Sequence, residues 1–156
     1  MKFVYFYDSP VGKLGIAQSL DAITDVFFGD HYNADTYIEQ ETTLIATAAS
    51  QLDEYFHGTR TSFELPLAPQ GPAFSVAVWM ALCDIPYGET RSYQDIARAV
   101  GNPSACRAVG NASRKNPIAI LLPCHRVVGA NGKLSGYAGG LERKAFLLAF
   151  EKAPQS

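Results

Sequence analysis

"GETRSYQDIARAVGNPSACRAVGNASRKNP", residues 88–117, reads as two short helices around a tight turn. Tyr93, Ile96, Ala97 and Val100 share one helical face, Gly101-Asn102-Pro103 stops that helix, and Ser104 is placed to cap a second one carrying Ala105, Ala108, Val109 and Ala112. This spacing fits an αα-hairpin in a core as well as a helix-turn-helix. The surface of the second helix favours the latter. It is largely Ala, Ser and Gly, with Arg107 in the first turn and Arg114-Lys115 at the end. So thin a helix can approach a nucleic-acid groove closely but offers few side chains to read base edges. Backbone contact with little sequence preference is expected.

Upstream, Phe74, Ala77, Val78, Ala81, Leu82 and Ile85 form an apolar stripe, so Trp79 and Cys83 read as packing or flanking residues. "LPLAPQGPAF" cannot continue a helix and reads as a linker. Before it, "KFVYFYDS", "KLGIAQS" and "AITDVFFGD" are β-branched and aromatic runs broken at Ser9-Pro10, Gly12 and Asp21, the pattern of an antiparallel meander. A helix follows, with Leu44, Ile45, Ala48, Ala49, Leu52, Tyr55 and Phe56 in phase and Gly58 as its stop. The expected organisation is an α+β domain over 1–66, a linker over 67–72 and a mainly helical domain over 73–156.

Charge divides the chain at the same place. Residues 1–66 hold three Lys/Arg against ten acids, a balance of −7, whereas residues 67–156 hold ten against five, a balance of +5. From Arg91 to Lys133 seven basic residues accompany one acid, Asp95. A polyanion is a natural partner for the second half alone, although a solvated face produces the same count. The 156 residues, 47% hydrophobic, suffice for a folded core. No apolar run nears the roughly 20 residues of a membrane span, and "MKFVYFYDSP" has no signal-peptide features. A cytoplasmic protein is expected. Cys83, Cys106 and Cys124 are widely spaced and odd in number, which argues for free thiols over disulfides or zinc.

Downstream, "LLPCHRVVGANGKLSGYAGG", residues 121–140, places Cys124 between a rigid proline and a histidine. A free thiol has a pKa of about 8.5, so Cys124 needs a base or a positive neighbourhood to become nucleophilic. His125 is the obvious base. Neighbours on an extended chain point opposite ways, so a bridging water or a turn must connect them. Glu151 and Glu142, on the final helix, are both candidates to orient the imidazole. Asn116-Pro117 and Pro123 stiffen the approach, and Gly136, Gly139 and Gly140 around Tyr137 allow a loop to close over a flat ligand.

With "SYQDIA", "GNPSACRAVGNA" and "KNPIAILLPCHRVVGANGKLSGYAGGLERKAFLLAFE", the chain from near Phe74 to Glu151 resembles the O6-alkylguanine-DNA alkyltransferases, also called methylated-DNA–protein-cysteine methyltransferases. In the N-terminal half only the general pattern matches, notably "DSPVGKLGIA". The resemblance implies an α+β protein: a small ribonuclease H-like antiparallel sheet with a helix, then a mainly helical, winged-helix-like domain containing the helix-turn-helix. It also implies repair by direct reversal, with an O6-alkylguanine, or an O4-alkylthymine, flipped from the duplex and its alkyl group taken irreversibly by Cys124 in one turnover. No cofactor is required.

By the same resemblance, His125 acts through a water to deprotonate the thiol, Glu151 orients that imidazole, and Asn116 braces the active-site turn. Tyr93 crowds the phosphate and protonates the departing guanine, while Arg107 fills the vacated stack. Ser92, Gln94, Ala105, Arg114 and Lys115 complete the DNA face, which enters the minor groove of double-stranded DNA. Tyr137, Ala138, Gly139, Gly140, Val127 and Ala119 wall the alkyl pocket. A monomer acting on chromosomal DNA is implied.

The sequence departs from the family pattern in places. The first half has no cysteine and only His31 and His57, so the zinc some relatives carry there is not expected. Ala119 stands where many members have proline, and Ala138 where many have serine, which bears on alkyl-group preference. The other readings are a lesion-binding alkyltransferase-like protein, disfavoured because those carry tryptophan at the acceptor position, a helix-turn-helix regulator, and a Cys-His hydrolase.

Overall fold

The computed structural model describes residues 1–29 and 32–153; Asp30, which ends the third strand run, His31 and residues 154–156 lie outside them. Two compact units divide between Pro69 and Gln70.

In the first unit, β1 (Lys2–Tyr7), β2 (Leu14–Ser19) and β3 (Ala22–Phe28) form the expected antiparallel meander. Paired Ser9 and Gly12 backbones close the first turn, with Gly12 at φ 101°. The second turn is only Leu20-Asp21, with Leu20 in the left-handed region. The sheet is not wholly antiparallel, however. A short β4 (Tyr37–Glu39) pairs with β1 in parallel, giving the order β3-β2-β1-β4. Three residues are too few to show alternation, so this strand left no sequence signal. Val4, Ile16, Ile23 and Val26 meet Ile45, Ala48, Leu52 and Tyr55 of α1 (Thr43–Phe56) in the core. Thr42 caps α1 by accepting from Ile45 N at 3.1 Å, and Gly58 follows its C-cap at φ 77°.

Leu67 bridges to Ile23, with Ile23 N donating to Pro66 O and Ala68 N donating to Ile23 O, each at 2.9 Å. The start of the expected linker is therefore paired with β3.

In the second unit, α2 (Ala73–Leu82) packs on α3 (Tyr93–Ala99) and α4 (Cys106–Arg114). Val78, Trp79, Leu82, Ile96, Ala97, Val109 and Ala112 are buried, and Trp79 Nε1 donates to Ala112 O at 2.8 Å. Ser92 opens α3 with a capping box, accepting from Asp95 N while Asp95 accepts from Ser92 N. At the other end, Gly101 N reaches Arg98 O and Asn102 N reaches Ala97 O, a Schellman closure with Gly101 at φ 79°. Ser104 does not cap α4. The Asn102–Ala105 turn runs one residue further, so Ala105 takes the cap position and Ser104 Oγ donates to Asn102 Oδ1 instead.

Two-residue strands β5 (Arg91–Ser92) and β6 (Val127–Val128) pair in parallel, Arg91 opposite Val127 and Ser92 opposite Val128. β5 runs directly into α3, and β6 leaves the 3₁₀ turn Cys124–Arg126. This register sets the start of α3 beside the cysteine turn. The last helix, α5 (Leu141–Lys152), packs against that turn.

Candidate active site

The segment before Cys124 is held in an unusual shape. Ile120, buried and β-branched, sits at φ 70°, a conformation costing on the order of 1–3 kcal/mol. Asn116 over-determines it: Nδ2 donates to Leu122 O at 2.7 Å and Ile118 O at 3.4 Å, while Oδ1 accepts from Ile118 N at 3.0 Å. Ala119 is buried within this brace.

Cys124 is 3% exposed and His125 0%. The 3₁₀ turn supplies the local geometry that an extended chain lacks. His125 Nε2 and Glu151 Oε2 are 2.7 Å apart, whereas Nδ1 has no hydrogen-bond partner among the described residues. No direct thiol–imidazole bond forms. Of the two carboxylates on α5, Glu151 is the one at the ring; Glu142 lies exposed in the helix's first turn.

The thiol rests protonated. Burial pushes Cys124 up to about 11, opposed by a hydrogen bond from the Asn116 side chain and by the Lys144 charge. His125 is held below the ordinary histidine value, first by burial and then by Arg126 and Lys144, against the pull of Glu151. Burial and Cys124 both push the Tyr137 phenol up.

A stability consequence follows from the thiol. The unfolded chain releases this proton near pH 8.5 while the folded protein keeps it to about 11, so stability complete below the first value is lost as pH rises through the second. The loss amounts to about 3 kcal/mol, and Cys124→Ala should remove it. Urea midpoints of both proteins at about pH 7 and about pH 10.5 check this: the wild type should lose more than the variant between them.

Lys144 and Arg126 had no role in the sequence reading. Lys144 is fully buried, and its Nζ donates to Ser135 O at 2.7 Å and more weakly to Gly136 O at 3.5 Å. Burial lowers its pKa and Cys124 raises it. Lys144, Leu147 and Glu151 are the buried residues of α5, spaced three and four apart. A lysine and a glutamate on the buried stripe of a helix are the signal that could have found the pair.

The glycine loop is gripped from three helices. Tyr93 Oη, at the start of α3, donates to the same Ser135 O at 3.0 Å, and Ser135 Oγ lies 3.1 Å away. From α4, the Arg114 stem leaves no room at Gly136, where an added Cβ would meet Cδ at 2.9 Å. Arg114 Nη2 also donates to Asn111 Oδ1. Tyr137 is buried, Ala138 and Gly140 are exposed, and Gly139 O accepts from Arg143 Nη1 at 3.1 Å. Val127 is buried behind the turn.

On the helix pair, Arg107, Arg114 and Lys115 are exposed and Ala105 is half-buried. Two residues expected on the DNA face have structural work: Ser92 caps α3, and Gln94 pins the inter-helix turn, Nε2 donating to Pro103 O at 2.7 Å and Oε1 accepting from Cys106 Sγ at 2.9 Å. The cysteines are all free. No group of three metal-ligating side chains occurs among the described residues.

The arrangement of a buried thiol, an imidazole with one open edge and a carboxylate on the other suits proton removal from sulfur. The chain matches the family model described as "6-O-methylguanine DNA methyltransferase, DNA binding domain" over residues 73–153, and the "ribonuclease-like domain" of the same description over 3–69. It belongs to the 6-O-methylguanine DNA methyltransferase family. Among the relatives of this methyltransferase, a methylated-DNA–protein-cysteine methyltransferase of Methanosarcina acetivorans is 48% identical over 149 residues, covering 93% of this chain and 95% of that one. The constitutive enzyme of that name from Bacillus subtilis is 46% identical, covering 97% and 96%. The crystal structure of Mycobacterium tuberculosis OGT in complex with DNA superposes on this methyltransferase with a TM-score of 0.90 at 44% identity, covering 96% and 92% of the two chains. Among the described residues, no helix is long and apolar enough to cross a membrane.

Proposed function

We propose that this protein repairs DNA by direct reversal, flipping an O6-alkylguanine out of the duplex and taking its alkyl group onto Cys124 Sγ once per molecule. One observation carries the reading: a buried thiol and a histidine with an open Nδ1 share one turn, and a carboxylate fixes the histidine's other edge.

The thiol proton passes to His125 Nδ1 through a bridging water. The sulfur then attacks the alkyl carbon in line, forming a C–S bond as the C–O6 bond breaks, and the guanine leaves with a proton supplied by Tyr93. Burial that keeps Cys124 protonated at rest also strips water from the nucleophile at the moment of attack. Because a thioether is a poor leaving group, the protein is consumed. The stacked lesion is out of reach of a recessed sulfur without extrusion, and exposed Arg107, in the first turn of α4, takes the base's place in the stack. Arg114 and Lys115 bind phosphates as α4 enters the minor groove, and the protein acts as a monomer.

Incubation with a duplex containing one O6-methylguanine should add a single methyl to the peptide bearing Cys124. Intact-mass and peptide-mass spectra read this directly. An unmodified protein after complete mixing, or a methyl elsewhere, overturns the proposal.

A further inference from the structure

Arg126 takes no part in the transfer just described, yet it is thoroughly engaged. Its Nε donates to Glu151 Oε1 at 2.8 Å, Nη2 to Oε2 at 3.0 Å and Nη1 to Ile85 O at 2.8 Å, and its Cζ lies 5.7 Å from the Tyr87 ring centroid. Gly88 N adds a longer bond to Oε1 at 3.3 Å. A buried ion pair of this kind often stabilises no better than apolar residues of the same volume, so stability alone does not explain it.

Counting protons does. A lone buried carboxylate touching an imidazole draws a second proton onto the ring, because imidazolium and carboxylate together are neutral. Here the guanidinium already balances Glu151. An additional proton on His125 would leave the buried cluster with net positive charge, beside the Lys144 ammonium.

From this geometry we propose that Arg126 is a positioning residue: by occupying both oxygens of Glu151 it keeps the His125 imidazole uncharged, its one proton on Nε2 and its Nδ1 open to receive a proton. The repair reading enters only in naming Cys124 as the source of that proton. The other groups facing the cluster are Lys144 and Arg143 on α5, Cys124 on the same turn, Tyr87 and Cys83 beside the guanidinium, and Tyr137 in the glycine loop. Lys144, the other buried cation, donates to Ser135 O and Gly136 O, so its charge does not duplicate the paired contact of Arg126 with both oxygens of Glu151.

Nitrogen-15 histidine NMR across a pH series and single-turnover methyl transfer from an O6-methylguanine duplex, on wild type, Arg126→Lys and Arg126→Met, test this. In the wild type His125 should hold its proton on Nε2 and stay neutral below the ordinary histidine value of about 6.5. In Arg126→Met the ring should charge at higher pH, and the acid limb of the transfer rate should move up by about one pH unit, about tenfold at a fixed acidic pH. Arg126→Lys, which keeps the charge, should pull that limb back toward the wild-type position. A deficit in Arg126→Met that is equal at every pH, with His125 titrating as in the wild type, overturns the proposal. Should that variant not fold, the wild-type titration decides, and a His125 that charges at or above the ordinary value also overturns it. A wild type that leaves Cys124 unmethylated sinks the repair reading, whereas the His125 titration still judges Arg126.

Discussion

Glu151→Gln should lower the stability of the folded protein by about 3–5 kcal/mol and abolish transfer to Cys124. The carboxylate accepts from His125 Nε2, from Arg126 Nε and Nη2, and from Gly88 N. A glutamine of the same shape turns one oxygen into an NH₂ group, which must then face a donor wherever it points. Either way a buried guanidinium, its side chain 7% exposed, loses its counter-ion, and if the NH₂ faces Arg126 it also gains a repulsive donor–donor contact. If it faces His125, the imidazole accepts at Nε2 and carries its proton on Nδ1, so the ring can no longer receive one from sulfur. Both orientations damage the site. The check is a urea titration for stability and a single-turnover mass assay for transfer. A midpoint shift worth less than about 0.5 kcal/mol, with transfer intact, would show that neither the charge nor the four hydrogen bonds the carboxylate accepts matter.

The parts of this site that were legible in the sequence are those with a local cause. Pro123-Cys124-His125 announces a stiff, reactive turn, and Tyr93, Ile96, Ala97, Val109 and Ala112 announce two packed helices by spacing alone. The residues alone could not separate Glu151 from Glu142, because both lie on the last helix; only the family resemblance pointed to Glu151. The register of that helix against the cysteine turn, a tertiary fact, decides for Glu151. The β5–β6 pairing that brings Tyr93 near the turn involves two residues per strand, below any periodic signal. Ser104 shows the converse failure. A good capping residue stands one position early because the backbone turn continues to Ala105, so local chemistry yields to loop geometry. Arg126 was missed, and Lys144 passed over despite its helical phase with Leu147 and Glu151, for a simpler reason. Charged side chains read as solvent-facing by default, and only the packed structure shows each buried against a fixed acceptor.

Cys124→Ser should leave the fold nearly unchanged and reduce alkyl transfer by about 1,000-fold or more, to the point where no adduct is detected. The substitution is close to isosteric, and the Asn116 side chain that hydrogen-bonds the thiol can serve a hydroxyl equally well. Stability should therefore change by about 1 kcal/mol or less. Reactivity should not survive, because an alcohol is far less acidic than a thiol and oxygen is a harder nucleophile toward an alkyl carbon. His125, held neutral and only weakly basic in its buried setting, cannot generate an alkoxide there. Binding of lesion-bearing duplex should persist, since the exposed basic residues of α4 and its C-cap are untouched. Electrophoretic retention of an O6-methylguanine duplex, measured beside intact mass, separates the two functions. Retained binding without a mass increase places the chemistry on sulfur. A methyl still acquired by the serine variant would place the acceptor elsewhere, and would leave the conjunction of thiol, imidazole and carboxylate without a chemical purpose.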